Sequence, residues 1–155
     1  MRRQVSLITV LSTSVLLWSV ALQDVHAQAA SKKKSFYGQV KPAGPYSPAV
    51  MAGEFLFLSG QVGRDPATNT LVAGGTKAET RQAMENLGKL LAEAGLGFED
   101  AVKVTVFLAD NKDFADMNEI YASFFPGGVP PARSTVQAAP PGGARVEIDM
   151  VAIRK

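Results

Sequence analysis

The sequence predicts an α+β fold, a mixed β-sheet with two helices packed on one face. Three observations lead there. Residues 102–108 alternate Val102, Val104, Val106 and Leu108 with Lys103, Thr105 and Phe107, the period of a strand with one apolar face. Two other runs place apolar residues at steps of three and four, the period of a helix with one buried side. Glycine, proline, Asp and Asn mark the junctions, and the resulting order is β-β-α-β-α-β-β. A chain of 155 residues, 46% hydrophobic and 19% charged, suits one globular domain built this way.

Each element has its own signal. Residues 49–51 and 55–59 are apolar runs split by Ala52-Gly53-Glu54, which predicts a hairpin, with Gly60 ending its second strand. Arg64-Asp65-Pro66-Ala67-Thr68-Asn69 follows as a polar turn. Thr76 with Glu79 three residues later is a capping-box pattern and predicts a helix over about 78–94, buried through Met84, Leu87, Leu90, Leu91 and Ala94. Gly95 supplies its stop. After the 102–108 strand, Asp110-Asn111 caps a second helix with the stripe Phe114, Met117, Tyr121 and Phe124, ended by Pro126-Gly127-Gly128. A short strand over 134–137, a turn at Pro140-Pro141-Gly142-Gly143 and a last strand over 146–153 complete the chain. A sheet covered by helices on one face has a second face, and apolar residues there that the chain itself does not cover call for association, usually as a closed symmetric oligomer.

The N-terminus reads differently from the rest. Met1-Arg2-Arg3 is a positive start, residues 5–22 are mostly apolar, and Val25-His26-Ala27 offers small residues at the two positions a signal peptidase reads. This pattern predicts a secretory signal over 1–27, a flexible leader over 28–35 and a folded domain over 36–155, with the protein periplasmic or secreted. Retention as an anchor is the rival, since the apolar run reaches the lower edge of a bilayer span; Ser12, Thr13, Ser14 and Ser19 dilute it.

Cleavage changes the chemistry on offer. The only His, His26, and the only Trp, Trp18, leave with the signal, and the chain has no Cys. Ser-His-Asp and Cys-His triads, disulfides, zinc ribbons and His-based metal sites are therefore excluded from the mature chain. Losing Arg2, Arg3 and Asp24 leaves 14 basic against 13 acidic side chains, a balance that predicts neither a nucleic-acid nor a membrane-surface binder.

Within that inventory a few residues stand out. Arg133, behind Pro130-Pro131 at the start of a strand, is placed for bidentate recognition of a carboxylate, although a solvated strand-end arginine has the same local sequence. Glu147 shares a strand face with Asp149, opposite Val146, Ile148 and Met150, and suits activation of a water; an ordinary polar face explains it equally. Tyr46 lies in a stiff loop between Pro45 and Pro48, where a phenol can flank a small ligand or simply pack. At Ser59-Gly60 the glycine opens the backbone to a ligand or merely turns the chain, and Asn118 judged alone is a polar helix residue.

Taken together the segments 44–47, 57–61, 104–108, 114–121, 131–136 and 144–149 resemble the RidA (YjgF-type) reactive intermediate deaminase family. The resemblance runs from about Gly44 to Lys155 in the family's order, and its most specific element is Pro131-Ala132-Arg133-Ser134 with the Glu147 strand behind it. It implies a chorismate-mutase-like fold, a homotrimer with clefts between subunits, and cofactor-free, metal-free hydrolysis of 2-enamino and 2-imino acids to 2-keto acids and ammonia. That activity is of the 2-iminobutanoate/2-iminopropanoate deaminase type, a hydrolase acting on C=N bonds.

By the same resemblance Arg133 clamps the substrate carboxylate, Glu147 holds the attacking water and Tyr46 lines the cleft from a neighbouring subunit. Ser59 and Gly60 border the ligand, Asn118 lies near it, and Thr135 stands where many deaminating members carry Cys. Thr is similar in size and still polar, so the pocket is expected to persist with a shifted preference. The export leader is a second departure, because the family is mostly intracellular. Two other classes compete: a non-catalytic binder of small carboxylates or 2-keto acids in the same cleft, and an RNA-processing protein, which the near-neutral charge argues against.

Overall fold

The computed structural model describes residues 33–38, 42 and 44–155. Six strands form one sheet: β1 (Lys34–Phe36), β2 (Ala49–Ala52), β3 (Phe55–Val62), β4 (Ala101–Leu108), β5 (Ala132–Gln137) and β6 (Val146–Ile153), in the order β1-β2-β3-β6-β4-β5. All neighbours are antiparallel except β4 and β5, which run parallel. A parallel pair needs a crossover connection. Helix α2 (Phe114–Ala122) provides it, while α1 (Gly75–Glu93) joins β3 to β4. The mixed sheet and its two helices are the expected class.

Strand alternation decides which face is buried. In β6, Val146, Ile148, Met150 and Ala152 are at most 1% exposed, whereas Glu147 and Asp149 between them are half-buried on the other side. Val104, Val106 and Leu108 of β4 and Leu56 and Leu58 of β3 join them under the helices. Met84, Leu87 and Leu91 of α1 and Met117 of α2 close the core from above, all fully buried. Burying each such side chain contributes about 1.5–3 kcal/mol, so this layer dominates the stability of the fold. The open face presents Phe55, Phe57, Val102 and Val136, each 41–49% exposed.

The ends of α1 separate expectation from structure. Its C-terminus closes as the sequence predicts: Gly95 adopts φ 74°, its N–H donates to the Ala92 carbonyl, and the Leu96 N–H donates to that of Leu91. This is the paired bonding of a Schellman stop. The capping box at Thr76 and Glu79 does not form. The helix begins three residues earlier, at Gly75, after Gly74 turns the chain at φ 116°. Thr76 is thus inside the first turn, and the buried Glu79 carboxylate instead accepts the Arg145 backbone N–H at 2.7 Å. An acid that would cap a helix here ties it to the start of β6.

Three strand limits also move. β3 continues through Gly60 to Val62, because the ladder to β6 slips between Leu58 and Gln61 rather than ending. β5 starts at Ala132, so Arg133 sits within the strand rather than at its start. Lys34–Phe36 pairs with β2 as a strand, two residues inside the stretch read as leader. The stretch expected to act as an export signal, residues 1–27, lies outside the described residues. Among the described residues no helix is long and apolar enough to cross a membrane.

Candidate functional site

The residues singled out in the sequence fall into two groups on opposite faces of the sheet. Parallel pairing sets Arg133 level with Val104 and Thr135 level with Val106, on the face beneath the helices. Antiparallel pairing sets Glu147 level with Phe107 and Asp149 level with Thr105, on the open face. One strand, β4, separates them.

On the helix side, α2 builds a seat for the arginine. Phe114, Asn118 and Tyr121 follow at steps of four and three, so they share one helix face. That face meets Arg133. Nη2 donates to the Asn118 Oδ1 at 2.8 Å, and the guanidinium carbon stands 4.5 Å from the Tyr121 ring centroid and 5.8 Å from that of Phe114. Both distances are within cation–π range. Arg133 is half-buried, and among the described residues Asn118 is its one hydrogen-bond acceptor. The other guanidinium donors are left for a ligand, in the fork geometry that matches a carboxylate.

On the open side a bulge builds a seat for the carboxylate. Between the pairs Leu58–Met150 and Gln61–Ile148, β3 has two residues, Ser59 and Gly60, where β6 has one, Asp149. The extra residue brings Gly60 under the Glu147 side chain. A Cβ on Gly60 would overlap Glu147 Oε1 and lie 2.6 Å from its Cδ, so any other residue there collides with the carboxylate. The space that glycine opens is therefore filled from within the chain by Glu147. Burial pushes the Glu147 carboxyl above its ordinary range, and the charge of Asp149 pushes it the same way. Asp149 itself accepts the Thr105 N–H at 3.1 Å.

Ser59 fixes the loop that holds Tyr46. Its N–H donates to the Pro48 carbonyl at 2.8 Å and its hydroxyl to the Ser47 carbonyl at 2.9 Å. Tyr46, 49% exposed, is thereby anchored beside the bulge. A cavity of about 60 Å³ next to it is lined by Tyr46, Gln61, Asn86 and Leu90 among others, and by neither Arg133 nor Glu147. Arg133 and Glu147 thus both lie outside this cavity.

The structure brings Arg133 to Asn118, and Glu147 to Gly60. It does not bring these two pairs together within one chain. Sequence reasoning missed Tyr121 and Phe114 as neighbours of Arg133, because both read as core stripe. The spacing of Phe114, Asn118 and Tyr121 on one helix face was the available signal. Among the described residues no cluster of three or more His, Cys, Asp or Glu could hold a metal ion.

Comparison with known proteins places the chain. The family described as Endoribonuclease L-PSP matches residues 37–154. A 2-iminobutanoate/2-iminopropanoate deaminase from Mus musculus is 47% identical over 111 residues, covering 72% of this chain and 82% of the relative. Among solved structures, the E. coli YjgF gene product superposes with a TM-score of 0.75 at 35% identity, over 79% of this chain and 99% of that one. E. coli TdcF with bound serine gives the same TM-score, identity and coverage. A family match over residues 37–154 and a fold shared with these structures over most of the chain have one reading: the chain belongs to the Endoribonuclease L-PSP family, that of the YjgF and RidA-type proteins.

Proposed function

We propose that the protein hydrolyses 2-imino acids, and the 2-enamino acids that tautomerise to them, to 2-keto acids and ammonium. The observation that carries this reading is the Arg133 guanidinium, held by Asn118 and an aromatic face with donors left over for a carboxylate. Relatives named as deaminases of this type support it at 43–47% identity.

The chemistry asks little of the protein. A protonated imine is already electrophilic at C2, so a positioned water attacks without a metal or a covalent nucleophile. With its carboxylate on Arg133, the substrate presents C2 to a water held by Glu147. The carboxylate takes a proton from that water as the C–O bond forms, giving a carbinolamine. It returns that proton to nitrogen, and as the C–N bond breaks the carbinolamine hydroxyl gives up its proton to the departing ammonia, so the sum is one iminium and one water giving one 2-keto acid and one ammonium ion. A desolvated carboxylate with a raised proton affinity suits both transfers.

Because Arg133 and Glu147 occupy opposite faces of one sheet, we infer that the complete site forms between copies, Arg133 from one and the Tyr46–Gly60–Glu147 group from another. The exposed Phe55, Phe57, Val102 and Val136 supply apolar surface for that association, and the homotrimer implied by the resemblance is the arrangement proposed. Residues 1–27 are proposed to direct export and to be removed; the N-terminal mass of the protein recovered from cells checks this.

The test of function is a trapping assay. Imino acids made in situ by an amino-acid oxidase react with semicarbazide, and a deaminase suppresses the adduct. Wild type is expected to suppress it and Arg133→Ala to fail. Binding of 2-keto acids by a wild type that suppresses no adduct would replace the enzyme by a carboxylate-binding protein.

A further inference from the structure

We propose that Tyr121 is a positioning residue for substrate binding, its ring face setting the plane of the Arg133 guanidinium. The inference rests on the reading that Arg133 clamps a carboxylate. A guanidinium recognises a carboxylate with two parallel N–H bonds only when its plane is fixed. One hydrogen bond, from Nη2 to Asn118 Oδ1 at 2.8 Å, leaves the group free to swing about that contact. A ring 4.5 Å from the guanidinium carbon removes this freedom.

Tyr121 is suited to the task by its own fixity. It is 5% exposed and belongs to the core cluster, with its ring 4.9 Å from that of Phe125. Phe114, the other ring near Arg133, is 44% exposed and stands farther away, so it guides less firmly. The Tyr121 hydroxyl is buried and has no hydrogen-bond partner among the described residues. What the position supplies to Arg133 is therefore the π-face rather than the hydroxyl, and a phenylalanine there should serve as well.

The experiment measures binding of 2-oxobutanoate, a carboxylate of the product class, by titration calorimetry on the full assembled protein. Wild type, Tyr121→Phe and Tyr121→Leu are compared alone and combined with Arg133→Gln. Tyr121→Phe is expected to bind as wild type does, and Tyr121→Leu roughly five- to tenfold more weakly, with KM rising and kcat nearly unchanged. In the Arg133→Gln background the Leu substitution is expected to have no further effect, since a residue acting through Arg133 has nothing left to act on. A general packing defect would instead weaken both backgrounds alike.

Should Tyr121→Leu not fold, phenylalanines of increasing fluorination at position 121 keep the shape while draining the ring face, and affinity is expected to fall stepwise. Unchanged affinity in Tyr121→Leu or across the fluorinated series, or an equal loss with and without Arg133, overturns the proposal. Wild-type binding that is indifferent to Arg133→Gln overturns the carboxylate clamp itself and the proposal with it.

Discussion

The Arg133 seat and the Glu147 seat solve opposite problems of placing a charge. On the helix side a cation is steadied by added groups, two rings and one amide, on a face that is otherwise hydrophobic core. On the open side a carboxylate is admitted by something left out, the side chain of Gly60, in a strand that bulges to make room. The comparison teaches that the cation is held in position by its surroundings, while the carboxylate is biased toward its neutral form by burial and by Asp149. One group is ready to bind an anion and the other to hold a proton.

Removing the proposed proton acceptor should cost most. Glu147→Gln is expected to lower kcat about 100- to 10,000-fold while 2-keto-acid binding persists. The same substitution should raise Tm at neutral pH. A carboxyl whose folded-state pKa is raised destabilises the fold once it ionises, and it contributes no penalty below the ordinary Glu range, where it is protonated in both states. The gain should therefore shrink as pH falls through the raised pKa and vanish in acid. A Tm difference that is flat with pH breaks the contrast drawn between the two seats.

Next in size, Arg133→Ala is expected to cost about 30- to 1,000-fold in kcat/KM, with carboxylate binding lost. Mixing this variant with Glu147→Gln and reassembling them sharpens the comparison, since a site built from two copies recovers up to about a quarter of wild-type activity averaged over an equimolar mixture of rings. No recovery after proven subunit exchange would put both residues in one chain's site. Gly60→Ala should follow, with kcat reduced about 10- to 100-fold by displacement of the carboxylate and carboxylate affinity nearly intact. Asn118→Ala should have the smallest effect, raising KM about fivefold through loss of one hydrogen bond to the guanidinium.

The strands and helices were legible because periodicity writes burial directly into sequence. The alternation of β6 placed Glu147 with Asp149 and opposite Val146, Ile148 and Met150, and the structure keeps that division. The stripe from Met84 to Ala94 marked the buried side of α1 in the same way. Local chemistry was less faithful. Thr76 and Glu79 fit a cap, yet the acid found a donor 66 residues away at Arg145. Gly60 looked like a strand end because no spacing rule reveals that a side chain from β6 will lie across it. Tyr121 stood in the right stripe, but its contact with an edge-strand arginine depends on the β4–β5 register, which is a long-range property.

β5 is bonded within the chain on one side only, to β4, whereas β6 lies between β3 and β4. In terms of local unfolding, an edge strand peels away at lower free energy than a central one. The amides of residues 132–137 should accordingly exchange with solvent sooner than those of residues 146–153. When they open, Arg133 leaves its aromatic seat while Glu147 stays in place. How often the proposed anion-binding half of the site is intact is then governed by the opening equilibrium of one outer strand, and a partner that clamps that strand would raise apparent affinity without touching the ligand.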